Sequence, residues 1–151
     1  MLRYLLTGVP VILLCLILQA IFVSACLRRY AKYRYAQGPD NSAMADILLL
    51  CMVMLLTLVG NCVQIAIWAG LFMLLGEFGS FSAAFYHSCV NFVTLGYGDI
   101  VMSERWRLLG PLEGANGILM FGISTAVMTA AVMDVIKTSV AAWQRSDGAN
   151  G

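Results

Sequence analysis

The chain has 151 residues, 61% of them hydrophobic and only 11% charged, with a formal net charge of +1. Soluble domains carry roughly 25% charged residues, so this composition excludes a soluble globular domain and gives no electrostatic case for nucleic acid. The deficit is uneven, because no Asp, Glu, Lys or Arg occurs in residues 4–27, 47–76, 78–98 or 114–133.

Crossing a hydrocarbon core takes about 20 apolar residues as a helix. Three of the four uncharged runs meet that requirement and predict an all-α membrane protein with three transmembrane helices. The first span occupies residues 1–27, and Pro10 near its start makes the regular helix begin near Val9 or bend there. Val23-Ser24-Ala25-Cys26 looks like a lipoprotein processing site. Against that, the n-region holds only Arg3 and the residues after Cys26 are strongly basic, so the segment reads as a retained helix. Residues 28–45 read as a cytosolic loop in which Arg28, Arg29, Lys32 and Arg34 alternate with tyrosines, followed by a turn at 37–42 with Asn41 or Ser42 as N-cap. At a membrane edge the basic residues hold the loop in the cytosol and the tyrosines sit among headgroups, with anionic lipids as a further partner. The second span, residues 46–75, is about 45 Å long at 1.5 Å per residue and must tilt or project beyond a core of about 30 Å.

The run 78–98 is rich in Ser, Asn, His and Gly and reads as a re-entrant segment, tolerated at membrane depth only inside protein or beside water. A short helix is expected over 82–93, capped by Ser82 and ending where Thr94-Leu95-Gly96-Tyr97-Gly98-Asp99 begins. Gly96 and Gly98 have no Cβ and take positive φ cheaply, which lets consecutive carbonyl oxygens aim at one axis. Leu95 and Tyr97 then point away as struts, Thr94 adds a hydroxyl, and Asp99 puts a carboxylate at the far end. A half-helix entering the membrane also aims its negative end at the centre, which favours a cation there. The third span is expected over 109–137, with Pro111 in its first turn and Glu113 near the outer boundary, where a carboxylate is not costly; residues 138–151 read as a disordered cytosolic tail.

The segment Thr94 to Asp99 resembles the potassium-channel signature, with Leu95 where Val or Ile is commoner. Gly117-Ile118-Leu119-Met120-Phe121-Gly122-Ile123-Ser124-Thr125 is similar to the inner-helix pattern of simple bacterial potassium channels. The resemblance covers about residues 68–135, and 106–125 is also similar to small bacterial ion-channel proteins with one extra N-terminal helix. It implies a homotetramer in which Thr94, Leu95, Gly96 and Tyr97 hold K⁺, Gly98 completes the selectivity filter, and Asp99 stands at the outer mouth. It further implies passive K⁺ transport, with K⁺ as the permeating ion and no cofactor. Gly117 matches a gating hinge, though close packing explains a glycine there equally well, and Thr125 matches a cavity-facing residue; Gly122 reads as packing. This sequence departs from the pattern at Val90, where some channels place a buried Glu, and at Val93, where Thr is usual. Tyr86 and His87 stand where tryptophans often brace the filter, and either can hydrogen-bond Asp99 or its neighbours. For His87 a pH-sensing role is the lesser reading and bracing the favoured one.

Six of the nine Lys and Arg flank the loop and tail, against Arg3, Arg105 and Arg107 on the other side. That bias predicts the N-terminus and Asp99 outside and the C-terminus cytosolic, and the resemblance implies a multi-pass protein of the bacterial inner (plasma) membrane. The five cysteines lie in apolar segments without metal-ligand spacing and read as small buried hydrophobes. Trp68, Trp106 and Trp143 read as interface or packing residues. No nucleophile–base pair or phosphate loop points to an enzyme. The alternatives are a non-selective cation channel, or a non-conducting pore-loop protein acting in assembly or lipid interaction.

Overall fold

Four helices account for the described residues, 2–37 and 43–149, of the computed structural model: α1 (Leu2–Gln37), α2 (Ala43–Leu74), α3 (Phe81–Phe92) and α4 (Leu109–Ala149). Among the described residues no two segments pair as a β-sheet. Leu2–Ala36, Ala43–Leu74 and Leu109–Ala141 are long and apolar enough to cross a membrane. The expected all-α membrane architecture, three candidate spans and one shorter helix, is therefore present.

Element ends differ from expectation for local reasons. Helix α1 starts at Leu2 and carries Pro10 inside it rather than starting at Val9, since the apolar residues before Pro10 are good helix formers. It also runs through the basic stretch to Gln37, so most of the expected loop 28–45 is helical. The expected turn at 38–42 and the N-cap roles of Asn41 and Ser42 lie outside the described residues. At its other end, α4 continues past Lys137 to Ala149, where a disordered tail was expected, because Ala- and Ser-containing sequence without proline continues the helix. Helix α2 stops in a Schellman turn: Gly76 takes φ +75°, its N–H bonds Met73 O at 3.0 Å, and the Glu77 N–H bonds Phe72 O at 3.1 Å.

The chain forms two compact units, one of residues 1–20 and 59–122, the other of 21–58 and 123–151. In the first, the start of α1 lies on α4: a Cβ at Gly8 would come within 2.9 Å of the Leu112 side chain. Tyr4 meets Trp106 edge-on at 6.0 Å, with the Arg3 guanidinium over both rings. Gln64 of α2 donates to Gln19 of α1 at 2.8 Å, both side chains fully buried.

The second unit has an apolar cluster of Cys26, Val53, Val127 and Ala131. Beside it, Arg34 of α1 bonds Asp46 of α2 at 2.6 Å and Asp134 of α4 at 3.0 Å, and its third nitrogen reaches Thr138 at 2.5 Å. Tyr30 turns inward to donate to Asp134 at 2.6 Å, whereas Tyr33 and Tyr35 are exposed. Three helices thus share one guanidinium, whose planar fork suits several acceptors at once. Arg34→Ala is expected to lower the stability of the detergent-solubilised protein by about 1.5–3 kcal/mol, the usual worth of hydrogen bonds to charged groups, read as a drop in thermal unfolding temperature.

Candidate functional site

Ser80, not Ser82, caps α3; its side chain accepts from the Ala83 N–H at 3.3 Å while its backbone is extended. The helix ends one residue early, at Phe92, because the backbone leaves the helical region at once: Val93 has φ −88°, ψ 6°, and Thr94 has φ +60°. Positive φ then recurs at Gly96 (+59°) and Gly98 (+74°). For a β-branched Thr94 that conformation is strained, and the end of α3 imposes it. The N–H groups of Thr94 and Leu95 donate to Asn91 O and Val90 O, both at 2.9 Å, and that of Gly96 to Val90 O at 3.4 Å. These last carbonyls of α3 therefore absorb the first N–H groups of the strand. Among the described residues, no backbone N–H donates to the carbonyls of residues 94–98. Leu95 (54% exposed) and Tyr97 (66%) stand out from the chain with little of their own protein around them.

Asp99 at the far end accepts from the Tyr86 hydroxyl at 2.7 Å, which holds its carboxyl below the usual carboxylate range. The neighbouring His87 is buried between Phe72 and Phe78, with ring centroids 5.6 and 5.0 Å away. Its Nδ1 is 2.9 Å from Ile100 O and its Nε2 is 2.8 Å from Asn91 Nδ2. A carbonyl only accepts and an amide nitrogen only donates, so the ring is neutral, protonated on Nδ1. Burial likewise pushes the imidazole below its ordinary value. Glu77 ties down the loop after Ile100 by accepting from Ser103 N at 2.6 Å and Ser103 Oγ at 2.7 Å.

Helix α4 approaches the end of α3 through its glycines. A Cβ at Gly110 would lie 3.2 Å from the Asn91 side chain, one at Gly114 3.4 Å from Asn91 O, and one at Gly117 only 1.9 Å from Phe92 O. Close approach is thus a requirement at Gly117. Gly122, expected to serve packing, has nothing within 4 Å of such a Cβ. Thr125 belongs to the second unit, an exposed residue of α4 whose carbonyl accepts from Thr129 Oγ1 at 2.9 Å. The structure therefore brings Tyr86, His87, Thr94 to Asp99 and Gly117 into one unit and leaves Thr125 outside it.

Residues 60–134 match the family model described as "Ion channel". The chain belongs to the pore-loop ion-channel family. Neither curated proteins nor solved structures give a match. The match spans the end of α2, all of α3 and the Thr94–Asp99 segment, and α4 as far as Asp134, so the site just described lies within the matched region.

Several residues of this channel site escaped sequence reasoning. Glu113 is fully buried rather than at an accommodating boundary, and it is hydrogen-bonded to Ser88 of α3. Ser88 also donates to Ile65 O at 2.8 Å. Asn116 and Gln64 are fully buried as well. The available signal was the set Leu109, Glu113, Asn116 and Met120, spaced four, three and four residues apart, which is the period of a helix's inner stripe.

Gly117→Ala is expected to destabilise the channel by about 3 kcal/mol or more, visible as loss of the folded fraction in detergent. His87 carries its own pH dependence. Its folded value is depressed, so the unfolded chain takes up the proton first as pH falls below about 6.5. Thermal stability should be fully present above that value and decline as pH drops from there toward the folded value. His87→Phe should remove the decline.

Proposed function

We propose that four copies of this channel surround an axis and form a potassium-selective pore that passes K⁺ down its gradient. The observation that carries this reading is the Thr94–Asp99 backbone. Positive φ alternates at residues 94, 96 and 98, and the first N–H groups of the strand are bonded back to α3. Carbonyl oxygens without donors of their own chain suit a dehydrating cation, and rings of them replace its water shell. One strand cannot surround an ion, so cyclic assembly is needed. The exposed Leu95 and Tyr97 fit the same reading, since neighbouring copies would cover them.

In this reading Thr94, Leu95, Gly96 and Tyr97 present oxygens to K⁺ and Gly98 completes the filter. Tyr86 and His87 brace it through Asp99 and Ile100. Six of nine Lys and Arg lie on the side of the α1–α2 connection and the C-terminus, which supports a cytosolic location for that side and an outward Asp99 in a bacterial inner membrane. Arg28, Arg29 and Lys32 there favour anionic headgroups.

Proteoliposomes of the purified chain are expected to take up K⁺ in preference to Na⁺, and crosslinking should stop at a tetramer. Gly98→Ala should abolish uptake because a Cβ is strained at φ +74°. Equal K⁺ and Na⁺ permeation would instead identify a non-selective cation channel, and a monomer or dimer without flux a non-conducting pore-loop protein.

A further inference from the structure

Helix α4 buries Leu109, Glu113, Asn116 and Met120 completely, and two of these four are polar. Around them stand other polar groups from every element of the first unit. The Cys15 thiol of α1 borders Asn116, Trp68 and Glu113. Gln19 of α1 and Gln64 of α2 bond each other, and Ser88 of α3 reaches the Glu113 carboxyl. Among the described residues Glu113 is the only buried carboxylic acid, and an ionisable residue inside a membrane segment is expected to have a function.

Counting hydrogens identifies the state of that carboxyl. Ser88 Oγ has two partners, Ile65 O at 2.8 Å and Glu113 Oε1. A backbone carbonyl can only accept, and a serine hydroxyl has one hydrogen. When that hydrogen goes to Ile65 O, the contact with Glu113 is a bond only if the carboxyl carries a proton and donates it to Ser88 Oγ. The reverse assignment gives the hydrogen to a carboxylate and leaves a fully buried anion. Its second oxygen has no hydrogen-bond partner. The Asn91 amide approaches it; one of its two hydrogens goes to His87 Nε2, and the other makes no hydrogen bond to this oxygen. Among the described residues no Lys, Arg or His pairs with it. Among the described residues its titratable neighbours are the Cys15 thiol of α1 and the Cys89 thiol of α3, which offer no positive charge, and α2 meets it through the Ile65 carbonyl by way of Ser88. A buried anion with no cation beside it is far costlier than a neutral acid that donates to Ser88.

We propose that Glu113 is a proton-bearing positioning residue, whose neutral carboxyl donates to Ser88 and holds α3 between α2 and α4, so that losing the proton stops conduction. The effect reaches the filter because Val90 and Asn91, the residues after Ser88 and Cys89, hold the N–H groups of Thr94, Leu95 and Gly96. An anion at Glu113 would pull the Ser88 hydrogen away from Ile65 O and release α3 from α2. The conduction clause rests on the channel reading of the preceding subsection; the proton itself does not.

The test uses the full chain in lipid vesicles with ¹³C-labelled glutamate carboxyls. The chain has only three glutamates, Glu77, Glu104 and Glu113, and the first two remain in every variant. Infrared spectra at neutral pH should show the C=O stretch of a protonated acid in the wild type and not in Glu113→Gln. The glutamine amide can still donate to Ser88, so Glu113→Gln should keep K⁺ flux within about twofold of wild type, whereas Glu113→Ala, which cannot donate, should lose at least roughly tenfold. A wild-type spectrum with carboxylate bands alone overturns the proposal, even if no variant can be purified. So does a tetrameric Glu113→Gln whose flux falls as far as that of Glu113→Ala. An acid band in a protein without flux would instead refute the channel reading and leave the proton standing.

Discussion

The Phe92 carbonyl occupies the space where a side chain at residue 117 would begin, and the rest of the site depends on that contact. With a Cβ the two backbones could not approach, since it would lie 1.9 Å from the oxygen. Because they do, the C-terminal end of α3 is pinned against α4, and the carbonyls of Val90 and Asn91 are fixed where they take the N–H groups of the following strand. The positive φ at Thr94 follows from that turn-back. A hinge at Gly117 would have to break the contact that positions the strand, so packing is the primary reason for this glycine.

Behind the strand lies a second constraint, set by the solvent. Lipid offers no hydrogen bonds, so every polar group that leaves the surface must find its partner inside. The first unit gathers such groups: Gln19 with Gln64, Ser88 with Ile65 and Glu113, and His87 with Ile100 and Asn91. Helix α1 belongs to this arrangement through Cys15 and Gln19, and through Gly8 against Leu112. The first helix, to which the sequence assigns no role, is therefore a wall of the polar interior behind α3.

The three apolar spans, the short helix and the glycine-bearing strand are legible in the sequence because their signals are local: uncharged runs and a pair of glycines, although the capping serine is Ser80 rather than the expected Ser82. Helix ends were misjudged where tertiary contacts hold the chain, as at Arg34, whose two aspartates come from other helices. Glu113 was misjudged for a related reason. Its position one turn into α4 suggests a wet boundary, but burial depends on how close α3 and α1 come, and that closeness is set by Gly110, Gly114 and Gly8, which register in sequence only as small residues. His87 and Tyr86 were legible as bracing candidates, yet the division between them, Tyr86 to Asp99 and His87 to Ile100, needed coordinates.

The two faces of the proposed filter differ in what completes them. On one side, Leu95, Tyr97 and Ile118 are exposed in the single chain, surface that other copies would cover in the proposed assembly. On the other, the bonds from Ser88, Asn91 and His87 close within one chain. In the proposed pore selectivity would therefore belong to the assembly, whereas support of the strand belongs to each chain separately. A chemical input at Glu113 would accordingly arrive once per subunit and act on oxygens shared by all of them. Since a ring of carbonyls needs every member in place to replace a hydration shell, misplacing one strand should be enough to impair the whole pore.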